Sequence, residues 1–293
     1  MYLYRIHIRP KGGEADMQTT FEYCLKNKFL GVGWPVNSLS NTIDWDQYKR
    51  EAKKRQDYKL HICAYINKWI KDEDLVWTRD YDGQYYLTQV KSGWEYYRSQ
   101  ESKQKDIDIA NIFRCEFQKV EIDMVPGKVV ASFRAPRTIQ SIGCDKATEY
   151  SKYLWNKIVG SKYYEIDKSK YKDIFMMLDD QETEDLVFMY LQSKGWWILP
   201  NSRSRDTWKF EYLAVNPKTG EIAETQVKTG KVELNRENYR SNNKVFLFQS
   251  NEQYIGSEVE NVICFSREEL LNFMNKYNSN LPRSFKIKKD IIS

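Results

Sequence analysis

A chain of 293 residues with 46 basic and 41 acidic side chains, 41% apolar and 15% aromatic, has the balance of a globular protein and is too apolar to remain wholly disordered. Its length favours two domains of ordinary size. Its longest apolar runs, such as Leu186 to Leu191, are far short of the roughly 20 residues that span a bilayer.

The amino end, MYLYRIHIRPK, alternates charged and apolar residues where a signal peptide would carry an unbroken apolar stretch, so a cytoplasmic protein is expected. Tyr2 to Ile8 reads as a strand, and helical patterns follow at Ile43 to Lys54 and Leu60 to Lys71. Leu75 to Arg79, the turn Asp82-Gly83 and Tyr85 to Val90 form a hairpin pattern. A strand is expected over Ile112 to Val120, with a turn at Pro126-Gly127 leading into a further extended stretch, Val129 to Phe133. Residues 1–143 therefore read as an α+β unit around a curved sheet. Lys146 to Val159 carries Tyr150, Leu154, Trp155 and Ile158 on one stripe, which predicts a helix, placed in a linker over residues 144–164.

Residues 165–293 have a plainer rhythm. A short helix ending near Leu178, opened by Asp167 or Ser169, precedes a helix over Glu182 to Lys194 that Gly195 stops. Strands are expected at Trp196 to Pro200, Trp208 to Val215, Ile222 to Lys228, Lys244 to Gln249 and Asn261 to Phe265. Ser266 to Glu269 has the pattern of a capping box and opens a last helix ending near Tyr277.

Composition narrows the chemistry. Five scattered cysteines form no CxxC, and two histidines, His7 and His61, lie far from any nucleophile motif. Zinc ribbons, HExxH hydrolases and zinc deaminases are thereby disfavoured. No phosphate-binding GxxxxGK[ST] loop occurs, and Gly31 with Gly33 is too short a match to a dinucleotide fingerprint. The net charge of +5 is spread evenly over both halves, which permits a nucleic-acid partner without demanding one. The densest basic cluster, Lys49, Arg50, Lys53, Lys54 and Arg55, suits a solvated helix face as well as a phosphate track. Chemistry in this chain thus falls to carboxylates, amides and lysines.

Those groups converge in the second half. Two-residue alternation puts Lys209, Glu211 and Leu213 on one face of a strand, and Glu224, Gln226 and Lys228 on one face of the next. The short connection Asn216 to Gly220 makes the strands hairpin neighbours, so Glu211 is expected beside Gln226 and Lys228. Glu184 shares a helix stripe with Val187, Phe188 and Leu191 and so faces the sheet, which would be costly for an unpaired carboxylate. Oxygen ligands beside a lysine suit Mg²⁺-assisted phosphodiester hydrolysis, the cation stabilising charge on the phosphoryl oxygens. Cross-strand ion pairs on a solvated sheet face are the plain structural alternative.

The order of Glu184 in a helix, PNSRSRDTWKFEY with Glu211, and ETQVKTG with Gln226 and Lys228 resembles the PD-(D/E)xK restriction-endonuclease-like superfamily, in its branch with glutamine in the third motif. The resemblance covers about residues 165 to 278. It implies an α/β domain with a central mixed sheet flanked by helices. By position it makes Glu211 the metal-binding acid, Gln226 the variant ligand, Lys228 the catalytic lysine and Glu184 the auxiliary acid, with Mg²⁺, or Mn²⁺ in its place. Glu211 stands where Asp is usual, and Asp206 is a competing candidate for that position.

In residues 1–142, LGVGW at Leu30 to Trp34, LVWTRDYDGQYYLTQVKSGWEYY and DIANIFRCEFQKVEIDMVPGKVV resemble the EVE and PUA-like barrel-type domains, which read RNA or an extruded modified base. Trp34, Trp77, Tyr86 and Trp94 are the aromatic candidates for base stacking, with Asp80 or Asn111 for polar contacts. The combined expectation is a cytoplasmic Mg²⁺-dependent endonuclease for DNA, base-modified DNA included, in a restriction or phage-defence setting. Cutting both strands would call for a homodimer. An RNA-directed nuclease, a ligand-switched nuclease and a catalytically silent binding module are the alternatives.

Overall fold

The computed structural model describes residues 1–10, 12–37, 40, 42–55, 59–204 and 209–292. The chain divides into two units: Met1–Val125 with Val129–Ile166, and Pro126–Lys128 with the remainder from Asp167.

The first unit comprises β1 (Leu3–Ile6), α1 (Met17–Lys26), β2 (Phe29–Val32), α2 (Trp45–Ala52), α3 (Leu60–Trp69), β3 (Leu75–Arg79), β4 (Tyr85–Tyr96), α4 (Gln100–Gln104), β5 (Asn111–Val120), most of α5 (Gly127–Ser132), β6 (Ile139–Ser141) and α6 (Asp145–Val159). Its six-stranded sheet has the order β2-β5-β4-β3-β1-β6, with β1 and β3 parallel and the other pairs antiparallel. The architecture is α+β, as expected, but the sheet is open. Its edge strands β2 and β6 are only four and three residues long, and among the described residues no closed barrel forms. Phe21 and Cys24 of α1, Tyr48 of α2, and Cys63 and Ile66 of α3 belong to one core with Ile6, Phe29, Leu30, Ile112 and Phe113 of the strands.

Two local expectations change. Residues 127–132 are helical where an extended stretch was expected; the alternation Val129, Val130, Ala131 is also compatible with a single helical turn, and Val129 is buried by it. The helix placed in a linker is integral to the first unit: Tyr150, Leu154 and Trp155 are buried, Trp77 Nε1 donates to Ser151 Oγ at 3.0 Å, and Tyr150 OH donates to Met124 O at 2.7 Å.

The second unit comprises α7 (Ile174–Met177), α8 (Asp180–Ser193), β7 (Trp197–Ile198), β8 (Tyr212–Val215), β9 (Ile222–Lys228), β10 (Leu234–Asn235), β11 (Lys244–Gln249), β12 (Tyr254–Ile255), β13 (Val262–Phe265), α9 (Arg267–Lys276) and α10 (Arg283–Ile292). Its five-stranded sheet, β13-β11-β9-β8-β7, is mixed: β9, β11 and β13 run parallel, while β8 and β7 are antiparallel additions. Leu186, Val187, Tyr190 and Leu191 of α8 share a core with Ala214, Ala223, Val227, Phe246 and Phe248 of the sheet and Leu270, Phe273 and Met274 of α9.

Local signals place these elements. Gly195, at φ +86°, ends α8, and Ser266 with Glu269 makes the reciprocal cap of α9. Helix α7 is capped by Asp173; Asp167 instead caps a separate turn at Lys168–Lys170, because Lys172 and Asp173 break the run between them. The strand expected over Trp208 to Val215 begins only at Tyr212: Lys209, Phe210 and Glu211 are not strand, and Trp208 lies outside the described residues. Among the described residues no helix is long and apolar enough to cross a membrane.

Candidate active site

The β8–β9 hairpin brings the carboxylate and lysine together. Its turn is closed by Asn216 N donating to Glu221 O and Gly220 N donating to Asn216 O, each at 2.8 Å, with Gly220 at φ +75°. Tyr212 pairs with Thr225, and Glu211 N also donates to Thr225 O at 2.8 Å, so the regular register ends at Tyr212 and Glu211 is an extra, bulged residue before β8. Lys228 Nζ donates to Glu211 Oε1 at 3.1 Å. Both side chains are partly open to solvent, whereas Gln226 is fully buried, its Oε1 accepting from Val227 N at 3.2 Å.

Glu184 approaches from α8. The helix is fixed at its start by a capping box between Asp179 and Glu182, and one turn along Glu184 Oε2 accepts from Gln181 Nε2 at 2.8 Å. The Glu184 carboxyl is pushed up to about 7, by burial first and by neighbouring Glu211 second, while Arg203 acts in the opposite direction. Arg203 pairs with Asp185 and lies over the Phe188 ring at 5.0 Å. Tyr212, buried beside Phe188, has a hydroxyl with no hydrogen-bond partner among the described residues. Glu211 thus has Lys228 in contact and the Glu184 carboxyl close enough to be raised by its charge, with Arg203 nearby.

The donor set suits a hard cation. Glu184, Glu211 and the Gln226 side-chain carbonyl are all oxygen donors, and a cation would offset the mutual repulsion of the two acids. Among the described residues no group of three His, Cys, Asp or Glu side chains converges. Asp206, the competing acid, lies outside the described residues.

The aromatic candidates of the first unit fall into separate groups. Trp94 Nε1 donates to Asn111 Oδ1 at 3.0 Å, Asn111 Nδ2 donates to Tyr48 OH at 3.0 Å, and Tyr48 OH donates to Trp34 O at 3.0 Å. Trp34 has φ +61°, an unusual backbone for a bulky residue. Tyr86 OH donates to Asp80 Oδ2 at 3.2 Å near the other end of β4, roughly 25 Å of strand away from Trp94. Trp77 is fully buried and offers no open face to a base. A single pocket of Trp34, Trp77, Asp80, Tyr86 and Trp94 is therefore not formed.

Two parts of the second unit were not read from sequence. Lys288 of α10 is fully buried and donates to Glu182, which was read only as a helix start. Phe285, Ile287 and Ile291 after Leu281-Pro282 were the available signal for α10. The Arg203–Asp185 pair lacked any such signal, since it joins a helix to a loop.

Compared with protein families and with curated proteins, the chain has no match. Among solved structures it is similar to the DNA modification-dependent restriction endonuclease AspBHI, at 8% identity, with 91% of this chain and 81% of that chain covered and a TM-score of 0.26. So low a score carries no argument, and the functional reading rests on the residues themselves.

Proposed function

We propose that the second unit is a divalent-metal-dependent endonuclease, with DNA as the favoured polymer. The observation that carries this reading is Lys228 Nζ held 3.1 Å from Glu211 Oε1, with Gln226 buried two residues before Lys228 on β9. Glu211, the Gln226 side-chain oxygen and Glu184 would hold Mg²⁺, or Mn²⁺ in its place. When bound, the cation would supply charge stabilisation to the phosphoryl oxygens and acidify a water. Glu211 orients the Lys228 ammonium, which can donate to the attacking water or to a phosphoryl oxygen. Gln226, buried and without net charge, supplies an oxygen where a third acid would add repulsion.

The first unit is assigned a reading role, with the Trp34, Tyr48, Trp94 and Asn111 group as its centre and modified bases as its target. Action on both strands of a duplex implies two catalytic units and hence a homodimer. A role in restriction or phage defence follows from this division of labour.

The test is cleavage of plain and modified DNA and of RNA with Mg²⁺, Mn²⁺ or EDTA, wild type against Lys228→Ala. Metal-dependent cutting of DNA that the substitution removes is the expected result. Cutting of RNA alone would redirect the reading to an RNA nuclease, and binding without cutting under every condition would replace it by a silent module.

A further inference from the structure

The first unit holds a second polar site, away from the aromatic group centred on Trp94. A cavity of about 320 Å³ is lined by His7, Arg9, Arg79, Asp80 and Tyr81, among others, where the chain leaving β1 passes the β3–β4 turn. Alternation along β1 puts Arg5, His7 and Arg9 on one side, and the parallel register of β1 and β3 continues to bring His7 level with Arg79.

Two carboxylates, Asp80 and Asp82, line the cavity with Arg9 and Arg79, but among the described residues neither pairs with an arginine. Arg5 is fully buried, yet among the described residues its guanidinium donates only to the backbone oxygens of Ala135, Arg137 and Thr138 and to the neutral Gln140 side chain, and its Nε has no partner. Arg79 lies 5.5 Å from the Phe133 ring and 5.6 Å from the Tyr85 ring, with one long hydrogen bond to Tyr85 OH at 3.4 Å. Arg9 is exposed and, like Arg5 and Arg79, forms no ion pair among the described residues. Asp80 is committed to the turn, accepting from Gln84 N at 2.8 Å and from Tyr86 OH, and Asp82 stands exposed at its tip. The His7 imidazole registers the resulting field: burial holds its pKa down to about 4, and Arg9, Arg5 and Arg79 add to the effect.

A buried guanidinium without a counter-charge is costly, and an anion in the adjoining cavity would offset that cost. Arg9 and Arg79 have donors free for planar, two-point recognition of phosphoryl oxygens. The volume is that of a small-ligand site.

We propose that this cavity binds the phosphoryl group of a nucleotide, held by Arg9 and Arg79 in the field of buried Arg5. The group can come from a nucleic-acid backbone or from a free nucleotide. The site is independent of the nuclease reading, since it uses no residue of the β8–β9 hairpin and needs no metal.

The experiment is calorimetric titration of the full chain in EDTA with inorganic phosphate, deoxyadenosine monophosphate and a short DNA strand lacking a terminal phosphate. Saturable binding of at least one probe is expected, weakened about tenfold or more by Arg9→Gln. That substitution touches an exposed side chain without partners, so circular dichroism should be unchanged. Binding of the strand alone assigns the site to a nucleic-acid backbone, and binding of the monophosphate or phosphate assigns it to a free nucleotide. Arg79→Gln should weaken the same probe; if it misfolds, Arg9→Gln decides. No saturable binding of any probe, or affinities untouched by Arg9→Gln, would overturn the proposal.

Discussion

Lys228 and Glu211 are joined by a 3.1 Å contact while both remain partly open to solvent, so the pair contributes no more than about 1 kcal/mol to folding. Lys228→Ala should therefore leave urea unfolding almost unchanged while lowering single-turnover cleavage about 100-fold or more, since the group lost is one proposed to act on the reacting atoms. A parallel collapse of stability would mean that the lysine is structural. His7 offers a pH readout on the first unit. Its folded pKa is about 4, whereas an unfolded histidine titrates near 6.5. Between those values the unfolded chain binds the extra proton, so stability falls as pH drops from about 6.5 to about 4, by at most roughly 3 kcal/mol, and levels off below. Urea melts at about pH 7 and pH 4.5 should show this slope in the wild type and lose it in His7→Gln. At this scale the hairpin site was legible, because alternation and a short turn settle which side chains neighbour one another. The bond between Arg203 and Asp185 was not, because nothing local to either residue specifies the other.

Among the elements, α8 depends on a contact from the far end of the chain. Lys288 of α10 is buried against Glu182, whose carboxylate also closes the cap at the start of the helix that carries Glu184. Removing one partner leaves a buried charge alone, so Lys288→Met should destabilise the second unit by about 3–5 kcal/mol, and adding Glu182→Gln should restore part of it. Thermal unfolding of the single and double variants checks this; additive losses would deny the coupling. Strand β2 depends on Gly31, where a Cβ would lie 2.4 Å from the Asn111 carbonyl oxygen. Gly31→Ala should cost about 1–3 kcal/mol in a denaturant melt, because the neighbour it meets is backbone of the paired strand β5. Gly31 of LGVGW thus serves close strand packing, a reason that a match to a dinucleotide fingerprint could not reveal. Strands β9 and β11 and helices α6, α8 and α9 were legible from period and caps. Helix α10, the short pair β10 and β12, and the helical turn at residues 127–132 were not, being too short or too weakly patterned to stand out.

For the whole molecule, the proposed division of labour places recognition in one unit and chemistry in the other. Trp94→Ala removes a donor to Asn111 and a ring packed 5.0 Å from Trp45. It should reduce the preference for modified over plain DNA while leaving the rate on an accepted substrate within a few-fold. Competition cleavage of mixed substrates measures both, and a fall in rate with selectivity intact would move Trp94 out of the reading role.

From sequence alone came the α+β character of the first half, the mixed sheet-and-helix order of the second, and the contact of Glu211 with Lys228. These follow from periodicity, turn chemistry and caps, which act over a few residues. Only the tertiary structure decided that the sheet of the first unit stays open, that Trp77 is core, that Lys288 holds Glu182, and that Arg9 and Arg79 line one cavity. Each of those depends on residues brought together by packing across tens of positions, where sequence spacing specifies neither partner nor distance.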